Sequence, residues 1–205
     1  MILTVTNFCQ NIGKSILTIY LSKYFLKQRN FDCIYIIDNG KNFLVESIFN
    51  AEKDRINLNI FLDSVSDDKI NILNNVEILS KLKSHNTLYI VDLKANFNFE
   101  MTNLLQHSNA IICPFAYYDN VLDSTIEFGK FLEKIYSGDV YFLNNFFDKN
   151  ISCNQKLIDT LPEFGSIIES PIFYTNNLKR SFLSVYNDEL VFRKAFEELS
   201  FSLFD

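Results

Sequence analysis

The stretch that decides the fold is ILTVTNFCQNIGKSILTIYL, residues 2–21. It joins a short apolar run, typical of a buried strand, to a turn containing Gly13, Lys14 and Ser15, and then to a helical pattern over 14–28. A helix that begins at such a turn presents unpaired N–H groups and a positive dipole end, which suit a phosphate. The Lys14 ammonium can reach the β and γ phosphates of a nucleotide, and the Ser15 hydroxyl can bind Mg²⁺. The stretch therefore predicts a phosphate-binding loop between a strand and a helix.

Three positions of this loop depart from the usual pattern. Phe8, Gln10 and Asn11 stand where phosphate-binding loops commonly carry further glycines. Glycine reaches positive φ and lets the backbone approach a phosphate closely, whereas asparagine tolerates the left-handed region and glutamine tolerates it much less. We therefore expect a loop that either binds phosphate weakly or adopts another shape.

The composition predicts one folded domain over residues 1–205. The chain is 48% hydrophobic and 21% charged, so it can bury enough apolar surface to offset the entropy of ordering. Its 205 residues fall near the usual length of a single domain. A net charge of −6 and a pI near 5.0 oppose a large cationic surface for nucleic acid, although a local basic patch can still bind phosphate backbones.

The cysteines and the hydropathy pattern indicate a cytoplasmic protein. Cys9, Cys33, Cys113 and Cys153 are widely spaced, and the chain has only two histidines, so we expect no zinc site. Buried free thiols in a reducing compartment are the expected state of these cysteines. No apolar run reaches the ~18–20 residues of a membrane span. The N-terminus also lacks the pattern of a signal peptide.

Short apolar runs alternate with helical patterns along most of the chain. The runs are continuous rather than alternating, as in strands that are buried on both faces of a parallel sheet. This rhythm predicts a doubly wound, mainly parallel α/β sheet with helices on both faces. The predicted strands are 2–7, 33–38, 87–93, 110–115, 140–145 and 166–170, and the predicted helices are 14–28, 76–84, 98–107, 119–136 and 153–160.

Two regions are less regular. Residues 42–75 combine a helical pattern with a segment that can hold a short strand and a turn, so their role stays open. Residues 171–205 carry helical patterns without a further strand, and the last helix is predicted to begin near Asn187.

Two acidic residues end predicted strands. Asp38 closes CIYIID and Asp92 closes TLYIVD. Ligands of open α/β sheets bind at the carboxyl ends of the strands. Asp92 is the natural acid to hold Mg²⁺ beside the loop, with Asp38 near the same edge. A capping role at a strand end is the alternative for each of them.

With these motifs in this order, the sequence resembles the ParA/MinD group of P-loop ATPases over about residues 2–170. The matching segments are TNFCQNIGKS, CIYIIDNGKNF, LYIVDLKANF, AIICPF and VYFLNN. The likeness is strongest to the small ParA proteins that consist of the ATPase domain alone. It implies a P-loop NTPase-like fold, ATP and Mg²⁺ as cofactors, and a homodimer formed around two ATP molecules. It also implies a partner protein that stimulates hydrolysis and nonspecific DNA binding by the ATP-bound dimer.

The resemblance assigns roles to individual positions. Ser15 and Asp92 would hold the magnesium ion, and Asp38 matches the first acid of the switch I motif. Asn144 falls where the family contacts adenine, and Asn145 is an equally good candidate. The full set assigned to nucleotide binding is Asn11, Ile12, Gly13, Lys14, Ser15, Ile16, Asp38 and Asn144.

Two departures from the family pattern concern turnover. Cys9 stands where the family has a signature lysine that reaches the ATP of the other subunit, and Gly40 stands where a second acid orients the attacking water. A thiol supplies no cation and glycine supplies no carboxylate, so we expect slow hydrolysis or none. The segment after Asp92 also lacks the prolines that the family carries there.

Two surface features allow alternative interpretations. Lys179, Arg180, Arg193 and Lys194 could form a basic surface for DNA, although a solvated helix face is the favoured interpretation because acidic residues lie nearby. The aromatic segments FFDKN (146–150) and FEELSFSLF (196–204) could form a dimer or partner interface, although core packing is favoured.

The sequence supports two main functions. The first is a ParA/MinD-like ATP-binding protein in DNA or plasmid partition or intracellular positioning, with weak or absent ATP hydrolysis. The alternative is an inactive pseudo-ATPase that serves as a scaffold or regulatory module in a secretion, conjugation or mobile-element system. A ligase similar to dethiobiotin synthetase is a weaker third, because the second cation that its chemistry needs does not accompany the loop. Whether the chain is an enzyme stays open.

Overall fold

The structure is a computed structural model, and it describes residues 1–28, 31–39, 60–64, 86–94, 99–145, 154–172 and 189–204. The statements below refer to these residues. Within them no helix is long and apolar enough to cross a membrane.

A seven-stranded sheet forms the centre of the described structure. All its strand pairs are parallel. The spatial order is β3-β2-β4-β1-β5-β6-β7, so β1 is central and the chain winds outward from it in both directions. The strands are β1 (Ile2–Val5), β2 (Cys33–Asn39), β3 (Ile60–Ser64), β4 (Thr87–Leu93), β5 (Ala110–Phe115), β6 (Asp139–Asn144) and β7 (Ser166–Ile168).

Helices connect the strands, as parallel pairs require. A 3₁₀ turn, Leu161–Glu163, precedes β7. The described α-helices are α1 (Lys14–Lys27), α2 (Phe99–His107), α3 (Asp119–Ile135), α4 (Gln155–Thr160) and α5 (Glu189–Phe204).

The core lies on both faces of the sheet. Alternate residues of each strand face opposite sides, so Leu3 and Val5 join one cluster while Ile2 joins the other. The first cluster packs against α1 and α5, where the rings of Tyr20 and Phe192 stack with centroids 4.0 Å apart. The second packs against α2 and α3. Burial on both faces explains why the strands are continuously apolar, and it confirms the predicted doubly wound α/β fold.

The strand register brings the acidic residues together at one edge. Asp38 of β2 pairs in register with Asp92 of β4, and Val5 of β1 pairs with Asp92 from the other side. The carboxyl end of β1, where the loop begins, therefore lies beside both acids. This is the edge at which ligands of doubly wound sheets bind.

The structure corrects several predicted boundaries. The first strand ends at Val5 rather than at 7. Beyond its end, the Asn7 side chain is buried and donates to the Pro114 carbonyl of β5. The sixth strand ends at Asn144, and the seventh ends at Ile168 rather than at 170. The segment left open, 42–75, contributes β3, while its other residues, the helix predicted over 76–84 and FFDKN lie outside the described residues.

Two predictions about side-chain burial were partly wrong. Of the cysteines that the structure describes, Cys113 is buried, but Cys9 and Cys33 are only half-buried. In the aromatic segment near the C-terminus, Phe196 belongs to the core, whereas Phe201 is 69% exposed. Helical periodicity shows which residues share a face, but it does not show where the neighbouring elements end.

Candidate functional site

The loop between β1 and α1 uses two residues with positive φ. Gly13, the residue before α1, has φ 78°, and Asn11 has φ 59°. Asn11 is the only non-glycine residue with positive φ among those described, and asparagine is one of the few side chains that tolerate this region. Gln10 does not have a positive φ. The two positive φ values of the loop therefore fall on residues that tolerate them, although the further glycines are absent.

The start of α1 is open to a ligand. No side chain caps it, and the first turn has no acidic residue. The first helical hydrogen bond runs from Leu17 N to the Gly13 carbonyl, at 2.9 Å. The N–H groups of the preceding residues therefore have no partner within the helix, and the dipole makes this end attractive to an anion.

Ser15 and Asp92 meet at the carboxyl edge of the sheet. The Ser15 hydroxyl donates a hydrogen bond to Asp92 Oδ2. Asp92 is fully buried, and its other oxygen, Oδ1, has no hydrogen-bond partner. A buried carboxylate oxygen without a partner costs free energy unless a ligand satisfies it. A hydroxyl beside a carboxylate is an oxygen pair of the kind that Mg²⁺ prefers.

Two acidic side chains, Asp38 and Asp92, and the Lys14 ammonium group lie at this edge, where their charges interact. The pKa of Asp92 is raised to about 7, chiefly by burial and to a smaller extent by the charge of Asp38, while the Ser15 hydrogen bond and the Lys14 charge oppose the rise. Burial also lowers the pKa of Lys14, and the charge of Asp92 opposes that shift. Asp38 and Asp92 are fully buried, whereas Lys14 is half-buried. When both acids are ionised, one ammonium leaves an excess of negative charge that a divalent cation would neutralise.

Lys14 bends back over its own loop. Its Nζ donates to the carbonyl of Cys9, five residues earlier. This bond holds the ammonium above the turn formed by residues 9–13. A lysine in this position can exchange a neutral carbonyl for a charged phosphate oxygen, which is the stronger acceptor.

Helix α3 and the end of β5 anchor the beginning of the loop. The Asn7 amide donates to the Pro114 carbonyl at 2.8 Å and to Thr125 Oγ1 at 2.9 Å, while its oxygen accepts from Cys9 N at 3.2 Å. The Cys9 thiol donates to the carbonyl of Val121 at 3.7 Å. These bonds fix the path of the loop before its glycine turn.

Phe8 adds an apolar anchor to the same helix. Its ring packs edge-on against that of Phe128, with centroids 5.0 Å apart, and lies 5.5 Å from that of Phe131. The residue that replaces a glycine here therefore stabilises the loop instead of disturbing it.

Asn144, the last residue of β6, and Asn145, the residue after it, have different surroundings. Asn145 donates its side-chain amide to the Ile12 carbonyl at 2.7 Å, and its backbone N–H donates to Phe115. Asn144 is also buried, but its Oδ1 has no partner. Asn145 thus supports the loop, while Asn144 keeps a buried acceptor without a hydrogen-bond partner.

Two residues of this region, Thr6 and Asn7, were not predicted from the sequence as site residues. Asn7 holds the loop to α3, and the buried Thr6 Oγ1 has no hydrogen-bond partner. Asn7 could have been recognised from its position just after a continuous apolar run. A polar side chain there is expected to be buried, and a buried polar side chain needs hydrogen-bond partners inside the protein.

The other residues that the sequence suggested for the nucleotide site or for DNA binding lie in the first turn of α1, on α5 or outside the described residues. Ile16 is half-buried in the first turn of α1. Gly40, Lys179 and Arg180 lie outside the described residues. Arg193 is paired with Glu197 at 2.7 Å on an exposed face of α5, as expected for a solvated helix face. The described residues contain no cluster of three or more metal-binding His, Cys, Asp or Glu side chains, so an ion here would need ligands from outside that set.

Comparison with known proteins places this arrangement in a known fold. No protein-family model and no curated protein matches the sequence. A Borrelia burgdorferi protein assigned to plasmid partition, solved bound to AMPPNP, is 15% identical, with 98% of each chain covered and a TM-score of 0.75. The chain has the ParA/MinD fold.

Two further structures with the ParA/MinD fold show the same likeness. MinD of Pyrococcus horikoshii, complexed with Mg-ADP, is 14% identical over 97% of this chain and 95% of that one, with a TM-score of 0.72. The MinC:MinD complex of Aquifex aeolicus matches at 13% identity over 98% of this chain and 96% of that one, with a TM-score of 0.73. At these identities the likeness establishes the fold.

The buried acid of this ParA/MinD fold predicts a pH-dependent stability. The pKa of Asp92 is raised to about 7 in the folded protein by burial, against an ordinary value of 3.8 for this side chain. Between these values the folded chain keeps a proton that the unfolded chain releases. The contribution of Asp92 to the free energy of unfolding should therefore fall as the pH rises from about 4 to 7, by roughly a few kcal/mol in total.

Urea unfolding followed by circular dichroism, in EDTA from pH 5 to 8, measures this slope. Asp92→Asn is neutral throughout, so it should lose the decline that the wild type shows over this range. Asp123→Asn, which removes an exposed carboxylate of α3, serves as the matched control and should keep the wild-type slope. The same slope in Asp92→Asn and the wild type would contradict the assignment.

Proposed function

We propose that this chain, as a single domain of residues 1–205, is an ATP-binding protein of the ParA/MinD type. It would act in DNA or plasmid partition or in intracellular positioning, with weak or absent ATP hydrolysis. The observation that carries the proposal is the contact between the Ser15 hydroxyl and the buried Asp92, whose Oδ1 has no partner, at the uncapped start of α1. AMPPNP and Mg-ADP in two structures of the same fold support it.

The residues present fit magnesium and a nucleotide phosphate chain. Ser15 and Asp92 provide oxygens for the ion, directly or through its water shell. Asn11, Ile12, Gly13 and Ile16 provide the loop and the first helical turn, whose backbone N–H groups would cradle the phosphates. When bound, Mg-ATP supplies the charge and the phosphoanhydride bonds on which a nucleotide switch depends.

Lys14, Asp38 and Asn144 would each interact with a different part of the bound Mg-ATP. Lys14 would transfer its hydrogen bond from the Cys9 carbonyl to a phosphate oxygen. Asp38 lies beside Asp92 in the strand register, where it would orient water molecules around the ion. At the other end of the site, Asn144 would accept a hydrogen bond from the amino group of the base, because its Oδ1 is the unpartnered acceptor.

Slow ATP hydrolysis follows from the absence of a cationic side chain at position 9 and of a carboxylate at position 40. The Cys9 side chain carries no cation, and its thiol contacts α3 of its own chain. Position 40 supplies no carboxylate. Removal of a cation that stabilises a transferring phosphoryl group costs about 10³–10⁵ in rate in other nucleotide hydrolases. The site thus retains groups for binding phosphate and lacks two groups for cleaving it.

The same observation favours a second candidate function. A chain that binds nucleotide without hydrolysing it, or binds none, could serve as a pseudo-ATPase scaffold or regulatory module in a secretion, conjugation or mobile-element system. The loop anchors at Asn7 and Phe8 support this alternative as well, since they hold the loop in shape without a ligand.

Partners are inferred from the same fold. MinD of Aquifex aeolicus forms a complex with MinC, which supports an adaptor or stimulating protein for this chain too. A homodimer that forms with ATP and nonspecific DNA binding by that dimer complete the proposal. We further infer a cytoplasmic location, where ATP and Mg²⁺ are available.

Calorimetry with the full chain tests the function. ATP in the presence of Mg²⁺ should bind with a dissociation constant in the micromolar range. EDTA should weaken binding at least about tenfold, because Ser15 and Asp92 would hold the ion and its charge would offset that of the phosphates. Sedimentation of the same samples, with and without DNA, reports the dimer and DNA retention. An absence of heat at millimolar Mg-ATP would eliminate the nucleotide proposal and leave the scaffold.

A further inference from the structure

One side chain of the C-terminal helix holds the loop that follows β7. Glu198 of α5 is half-buried. Its Oε1 accepts a hydrogen bond from Glu169 N at 2.6 Å, and its Oε2 accepts one from Ser170 N at 2.9 Å. Bonds from backbone N–H groups to a carboxylate are roughly twice as strong as neutral ones. Glu198 therefore acts as a two-point clamp on this loop.

The loop held by Glu198 contacts the end of β6. Ile172 N donates to the Asn144 carbonyl at 2.8 Å. Ile172 is fully buried, in the same core cluster as Phe192 and Phe196 of α5. Segment 169–172 thus lies between α5 and Asn144, the residue whose buried Oδ1 has no partner.

We propose that Glu198 is a positioning residue for the base end of the nucleotide site. The inference rests on the proposed function, because it assumes that Asn144 faces the base. Without the clamp, segment 169–172 would sample positions in which it no longer supports Asn144, and only a fraction of the molecules would be competent to hold the base. The phosphate end would be unaffected, since its loop is anchored to α3 by Asn7 and Phe8.

Glu198→Gln tests the proposal with little change of size. The glutamine amide would direct N–H donors at a backbone donor, so one of the two bonds is replaced by a repulsive contact. Calorimetry should show ATP binding about tenfold weaker in the presence of Mg²⁺, as the competent fraction falls. Inorganic tripolyphosphate, which has no base, should bind Glu198→Gln and the wild type equally well.

Glu197→Gln is the matched control. It removes the neighbouring carboxylate of α5, which pairs with Arg193 and does not contact the loop in any of the bonds above. Its affinity for ATP should equal that of the wild type. Hydrogen exchange without nucleotide should be faster at residues 169–172 in Glu198→Gln than in Glu197→Gln.

The outcomes separate this inference from the function beneath it. A wild type that binds neither ATP nor tripolyphosphate refutes the proposed function, and the inference with it. If the wild type binds ATP, unchanged ATP affinity in Glu198→Gln overturns the inference alone. Equal weakening of ATP and tripolyphosphate overturns it too, because that result indicates general loosening of the fold.

Discussion

Replacement of Lys14 by alanine should weaken Mg-ATP binding by about a hundredfold or more. The Lys14 ammonium sits over the turn of the loop, where its hydrogen bond to the Cys9 carbonyl can be exchanged for a phosphate oxygen. Removing one member of a buried, hydrogen-bonded charge pair costs about 2–5 kcal/mol, and about 1.4 kcal/mol corresponds to a factor of ten. Calorimetry with ATP and Mg²⁺ measures the loss.

Lys27→Ala is the control for this experiment. Lys27 lies on the same helix, in its last turn, so its removal changes the net charge equally but leaves the loop intact. It should bind ATP as the wild type does. Thermal unfolding checks that both variants fold. If Lys14→Ala retained wild-type affinity in a folded state, the loop would not be the phosphate site.

The elements of this fold were largely predictable from the sequence because their signals are local. A short, continuous apolar run such as 110–115 is typical of a strand buried on both faces. Its predicted bounds match those observed. The start of α1 at Lys14 was equally clear, since Gly13 allows the positive φ that ends the preceding turn. Local patterns thus predicted the sheet and the position of the loop.

The contacts that shape the site were not predictable in the same way. Asn7 is bonded to Thr125, 118 residues away, and no local pattern indicates that partner. The sequence also left Asn144 and Asn145 equivalent, although one supports the loop and the other keeps a buried acceptor. Adjacent residues on a strand end face opposite sides, so their roles depend on which element packs against each face.

The substitutions at Cys9 and Gly40 lead to a prediction about hydrolysis. The wild type should turn over ATP slowly or not at all, and Cys9→Lys combined with Gly40→Asp should raise turnover by about a hundredfold, part of the 10³–10⁵ that such charged groups contribute elsewhere. Cys9 is half-buried, so a lysine stem can leave the contact with Val121 and extend into solvent. Phosphate release at saturating Mg-ATP, at several protein concentrations, measures the rate.

The design of the variants separates charge from shape. Cys9→Ser with Gly40→Asp removes the sulfur without adding a cation, so it should stay well below the lysine variant if the cation is what is missing. A steeper dependence of the rate on protein concentration in the lysine variant would indicate that the cation acts between subunits. A wild type that hydrolyses ATP as fast as the double variant would show that this loop cleaves phosphate by other groups, and the pseudo-ATPase alternative would then be wrong.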